Sequence, residues 1–199
     1  MEWARLREYL LPGAAERDEG FRQDLQDLSH NSLKIIAGVE IAVPLFMATG
    51  QLLVGAGLPR IEERIWQTAA LIGIGLATLA PYYMRRFARH SRLIAACSGV
   101  AVSGVLVWSS LLLARGLPGA ALYIPGQVTL VMLVAIAAVP LRPLQTMAMT
   151  LAMWVLYSFL SHFAVRHHWT PPIAMEAVYH LYLALLTLLS GALTAVVYG

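Results

Sequence analysis

The sequence predicts an all-α integral membrane protein. The expected form is a six-transmembrane-helix bundle with the N-terminus and C-terminus both cytoplasmic, preceded by an amphipathic cytoplasmic N-terminal helix. Three observations predict it. Of the 199 residues, 59% are hydrophobic and 13% charged, with a mean hydropathy of +0.67, whereas a soluble domain carries about 25% charged residues. Six segments approach the roughly 20 apolar residues needed to cross a bilayer. The lysines and arginines are also distributed unevenly between the two sides that six crossings define.

The elements follow in order. In segment 1–32, Trp3, Leu6 and Leu10 recur at helical spacing opposite Arg5, Arg7 and Glu8, the pattern of a short helix lying on the cytoplasmic leaflet. Pro12-Gly13 ends it, and Phe21, Leu25, Leu28 and Ser32 mark one face of a second helix that can run into the first span. The membrane domain, 33–199, then comprises Leu33–Gly57, Ile65–Met84, Leu93–Ala114, Leu122–Leu141, Leu144–Val165 and Ile173–Tyr198. The fourth pattern is the weakest, because Pro125 and Gly126 interrupt its start. Short connections carry the breakers Gly57-Leu58-Pro59, Gly116-Leu117-Pro118-Gly119, Arg142-Pro143 and Thr170-Pro171-Pro172, so neighbouring helices are antiparallel. IAVPLF (41–46) and IAAVPLR (136–142) are not a repeat, since Pro44 falls mid-span and Pro140 at a span end.

Ten of the 14 lysines and arginines lie in the N-terminal segment, the RRFARHSR loop and the loop at Arg142. Arg60, Arg64, Arg115 and Arg166 lie on the other side. This bias places both termini in the cytoplasm. The opening MEWARLREYLLPG has no apolar h-region or small-residue cleavage site, so it is not a secretory signal. One cysteine, Cys97, precludes an intrachain disulfide. The net charge of +3 arises from arginines beside apolar runs, which suits lipid headgroups rather than nucleic acid. No Gly-rich phosphate loop, nucleophile elbow or catalytic carboxylate pair is present, so this chain is not expected to be an enzyme.

Ionisable groups in spans are costly and mark candidate sites. Glu40 lies about two turns into the first span, and Pro44 removes the hydrogen bond to its carbonyl. A carboxylate there suits a cation or a proton, or pairs with Lys34, Arg89 or Arg92. At the outer end, His162 closes the fifth span, His167 and His168 occupy the turn, and Glu176 and His180 share a face of the sixth span. Imidazoles and a carboxylate from two antiparallel helices suit a divalent metal ion. The same histidines allow a haem b reading, with His162 and His180 as axial ligands near one face and His30 and His90 near the other. Amphipathic interfacial histidines without a ligand are the plainer alternative. Ala95, Gly99 and Ser103, and Gly191 with Ala195, form small-residue ridges for close helix approach. Trp66, Tyr82, Tyr83, Tyr123 and Trp169 read as interface anchors, Trp108 and Trp154 as packing residues, and Met147, Met149 and Met153 as apolar filler rather than a soft-metal path.

Three stretches carry a family likeness: FRQDLQDLSHNSLKIIAGVEIAVPLF entering the first span, the basic RRFARH loop, and the last span LYLALLTLLSGALTAVVYG. With these, the chain resembles the six-span N-terminal membrane sensor or anchor domains of bacterial signalling proteins. Those domains precede class III nucleotide cyclase, histidine kinase or diguanylate cyclase output domains. The resemblance implies a bacterial cytoplasmic (inner) membrane location, a homodimer, and a cytoplasmic output domain following Gly199 in the full-length chain. It also implies a ligand, with a divalent metal ion among the candidates, that shifts the packing of the last span. The expected function is therefore a membrane-embedded sensor or regulatory anchor. A haem-carrying electron-transfer module and a small transporter or channel are the alternatives.

Overall fold

The computed structural model describes residues 19–54, 61–115, 124–169 and 176–198. The predicted interfacial helix at Trp3–Leu10 and the Gly57-Leu58-Pro59, Gly116–Gly119 and Pro171-Pro172 connections lie outside those residues. Among the described residues every regular element is helical: α1 Glu19–Val54, α2 Ile61–Tyr82, a 3-10 segment Arg85–His90, α3 Ser91–Ala114, α4 Ile124–Ala138, α5 Pro143–Arg166 and α6 Glu176–Tyr198. Four of these stretches are long and apolar enough to cross a membrane, and α4 and α6 contribute shorter apolar helices.

The helix ends follow from local chemistry. α1 extends from Glu19 through Pro44 without a break, so the face marked by Leu25, Ser29, Ser32, Leu33 and Ile36, all buried, continues across position 32. α2 includes Pro81 in its last turn, and the chain then tightens into the arginine-rich 3-10 segment. α4 tolerates Pro125 in its first turn, where the missing N–H has no intrahelical partner to lose. It ends at Ala138, short of the predicted Leu141, because Pro140 and Pro143 cannot donate and disfavour helical backbone before them. α5 then starts with Pro143 in its first turn after an extended Arg142, and the Arg142 N–H donates to Gln145 Oε1 at 3.1 Å.

α3 is the hub, packing on α1, α2, α4 and α5, while α6 docks mainly on α5. Its ridge of Ala95, Gly99 and Ser103 is buried, and a Cβ on Gly99 would sit 3.0 Å from Met153 Cε, so the predicted small-residue ridge serves close packing. The radial pattern is inverted relative to a soluble protein. Phe46, Leu53, Leu181 and many other large apolar side chains are exposed, while Ser29, Ser103, Thr146, Thr150, Thr187 and Thr194 are buried. Buried hydroxyls bond largely within their own helices, as when Thr150 donates to Thr146 O and Thr187 to Leu183 O. A helix bundle that turns its large apolar side chains outward and keeps most polar atoms bonded inside suits a hydrocarbon solvent.

Candidate functional site

α5 and α6 form an antiparallel seam tied at both ends by polar contacts. Near the Arg142 end, Thr194 Oγ1 donates to Thr146 Oγ1 at 3.3 Å, and Gly191 leaves room for Met147. Towards the opposite end, the indole N–H of Trp154 donates to His180 Nδ1 at 3.1 Å, and Ser158 Oγ lies 3.3 Å from the same nitrogen. Tyr157, fully buried, packs edge-on against the imidazole with ring centroids 5.7 Å apart. α5 rises about 36 Å, slightly more than the roughly 30 Å of a bilayer's hydrocarbon. His180 pairs with residues two to three turns inside the α5 C-terminus, so a bilayer centred on α5 holds this imidazole within its apolar layer.

The hydrogen bond fixes the ring's tautomer. An indole N–H can only donate, so Nδ1 carries a lone pair and the proton of the neutral ring resides on Nε2. A metal-bound histidine has the opposite arrangement, in which the non-ligating nitrogen donates to an acceptor. In this arrangement Nε2 of His180 carries the ring proton rather than a lone pair.

The other predicted ligands are dispersed. His162 is exposed and lies one turn, about 6 Å, beyond Ser158 along α5. His167 and His168 belong to the helix stop. His168 adopts φ 58°, its N–H donates to Val165 O and the Trp169 N–H donates to Ala164 O, the paired bonds of a Schellman C-terminus. His167 packs on the Phe163 ring at 4.2 Å and Trp169 on Phe163 at 5.5 Å, so the turn is accounted for by capping and ring contacts. The Glu176 backbone opens α6 and its side chain lies outside the described set. Among the described residues no three His, Cys, Asp or Glu side chains converge as a metal set. At the other end, His30 stacks on Tyr82 at 5.0 Å and its Nδ1 is 3.4 Å from Ser91 Oγ. One face of that ring is thus covered by Tyr82, while His90 is exposed in the 3-10 segment.

Glu40 forms a second polar centre. Ser98 of α3 donates its hydroxyl to Glu40 Oε1, and Thr78 of α2 is the next polar group beside the carboxyl. Oε2 is enclosed and accepts no hydrogen bond among the described residues. The alternative pairing with a cation is corrected by these contacts: Lys34 and Arg89 are exposed, and Arg92 Nε donates to Ser29 Oγ at 3.3 Å. The carboxyl borders a cavity of about 250 Å³, otherwise apolar, between α1, α3 and α4, with Pro44, Gly99 and Ala135 among its walls.

Two functional partners are not apparent from sequence. Trp154 reads as a packing residue there, although an indole N–H inside a span needs an acceptor, and His180 is the acceptor it finds. Ser98 looks like one more small residue of α3. No known protein family, curated protein or solved structure matches this chain.

Proposed function

We propose that this chain is a membrane-embedded regulatory module of six spans with both termini on the cytoplasmic side. In this reading it works as a homodimer in a bacterial inner membrane. Occupancy of the outer half of α5 and α6 biases the packing of α6, and α6 passes that bias to a cytoplasmic effector. One observation carries the reading: α6 is held to α5 near His180 by a hydrogen bond from Trp154, with Ser158 beside it. Interhelical hydrogen bonds of this kind are worth about 0.6 kcal/mol on average within membranes. A seam closed by polar contacts at its two ends, with van der Waals packing between them, has the energetics of a two-state part. A ligand that accepts a hydrogen bond from the Trp154 N–H would compete directly with the seam.

Spin labels at exposed Leu151 and Leu188 in a Cys97→Ala background report the α5–α6 spacing in lipid nanodiscs. Two distance populations are expected, with Trp154→Phe shifting their ratio about threefold, the effect of losing one such bond. A single narrow population, identical in both proteins, would remove the regulatory reading.

Glu40 favours a second reading, a proton- or cation-coupled transporter or channel. Carboxylates buried among spans are found in proton and cation relays, and Glu40 borders the apolar cavity with Oε2 unbonded among the described residues. Reconstituted protein is then expected to dissipate a proton gradient across liposomes, and Glu40→Gln to reduce that flux at least tenfold. Absence of flux above protein-free liposomes would dismiss transport.

A further inference from the structure

We infer that the arginine-lined end of the bundle is a binding site for an anionic phospholipid, with its phosphate in a pocket and one acyl chain in a groove between α3 and α5. The pocket, about 280 Å³, is lined by Arg22 of α1, Arg89 and His90 of the 3-10 segment, Arg92 of α3 and Arg142 before α5, with Ser29 at its wall. Four guanidinium groups thus arrive from four separate segments, and none of the lining residues is acidic. A sidedness bias requires only that arginines lie on one face of the membrane. It does not require them to converge on a shared cavity. Glu19 approaches Arg22 at 3.8 Å, but both side chains are mostly exposed, so that pair is weak. Two helices also begin at the pocket. His90 precedes the first residue of α3, and Arg142 the first of α5.

The second observation selects a lipid over free phosphate. A membrane-facing groove of about 530 Å³ runs between α3 and α5 past Cys97, Ala101, Gly104 and Leu156, with an almost wholly apolar lining. Arg92, Leu93 and Gln145 line both this groove and the arginine pocket, so the two spaces adjoin. Small side chains at Ala101 and Gly104 keep the groove open. A Cβ on Gly104 would stand 3.1 Å from Leu156 Cδ2. A cationic pocket that adjoins an apolar channel on the lipid-facing surface matches a molecule with an anionic head and a hydrocarbon tail. A phosphate alone would leave the groove empty, and a zwitterionic head would bring its own cation into the arginine cluster.

Native mass spectrometry of the full chain in detergent tests the site with three probes: phosphatidylglycerol, phosphatidylcholine of the same acyl chains, and inorganic pyrophosphate. Phosphatidylglycerol is expected to bind at least tenfold more tightly than either of the others. Arg22 and Arg89 are exposed, so R22Q/R89Q preserves the fold, and it is expected to weaken phosphatidylglycerol about tenfold for each guanidinium removed. R22K/R89K is expected to recover most of that loss. Ala101→Trp, at an exposed position in the groove, is expected to weaken the long-chain lipid and leave pyrophosphate unchanged. Equal retention of the two lipids, or no change in R22Q/R89Q with native helicity, would overturn the site. Pyrophosphate binding as tightly as phosphatidylglycerol, with A101W silent, would overturn the lipid assignment in favour of free phosphate.

Discussion

Gly75→Leu is expected to destabilise the bundle by about 2–3 kcal/mol and to leave little monodisperse protein after extraction. α1 and α2 are the most extensively packed helix pair, and Gly75 is buried at their contact. A Cβ there would lie 2.7 Å from Ile41 Cγ1, 3.1 Å from Glu40 Cβ and 3.2 Å from the Ala37 carbonyl oxygen. Side chains can rotate away, but a helix carbonyl cannot, so the helices must separate. Overpacking of this kind costs typically 1–3 kcal/mol, and small residues are what permit close approach inside a bilayer. A Cβ added at Gly73, two positions earlier, would meet nothing within 4 Å. Gly73→Leu is therefore the control, expected within about 0.5 kcal/mol of the parent. Unfolding in mixed detergent micelles containing increasing dodecyl sulfate measures both, and equal midpoints for the two variants would show that the α1–α2 contact is not limiting.

Tyr157→Ala is expected to cost about 3 kcal/mol, measured in the same titration. The side chain is 1% exposed and forms the wall behind His180. Its removal leaves a cavity at a three-way contact of apolar core, imidazole and indole, and large-to-small changes of buried aromatics cost about 3–5 kcal/mol in water-soluble cores. The lower end of that range applies because lipid hydrocarbon solvates an exposed ring about as well as the bundle does. Tyr157→Phe keeps the ring and its edge-on contact with the imidazole, and is expected to retain most of the stability. A Tyr157→Ala protein as stable as Tyr157→Phe would mean that the seam collapses freely around the gap.

How far the sequence determines these results varies by element. The bounds of α3 and α5 follow from it within about two residues, because Arg92, Arg115, Pro143 and Arg166 punctuate long apolar runs. α1 runs unbroken from Glu19 into the span expected from Leu33, as the helical pattern at Phe21–Ser32 allows, although 19–32 is too polar to score as a span. α4 is shorter than its apolar run because the two prolines at 140 and 143 act on backbone geometry, which hydropathy does not register. The candidate site is less legible. Identifying His180 and Glu40 as unusual needs only their position in apolar runs. Their partners depend on inter-helix register: Trp154 is 26 residues from His180, and Ser98 is 58 from Glu40. The arginines can be counted for sidedness, but their convergence on one pocket is a property of packing that no count conveys.

The Schellman turn at the end of α5 does more than close a helix. Trp169 is held beneath it against Trp108 at 5.2 Å, and the Arg115 guanidinium lies 4.5 Å from the Trp169 ring centroid. The ends of α3 and α5 are thereby fastened by an aromatic and cationic clasp at one end of the bundle, while the arginine cluster lies at the other. Indole rings resist leaving the headgroup layer in either direction, and guanidinium groups resist entering the hydrocarbon. A bundle moored in this way at both faces has little freedom to bob along the membrane normal. For the regulatory function proposed above, the motions of α6 to test are rolling about its own axis and tilting against α5, and a measurement of helix rotation will be more informative than one of vertical displacement.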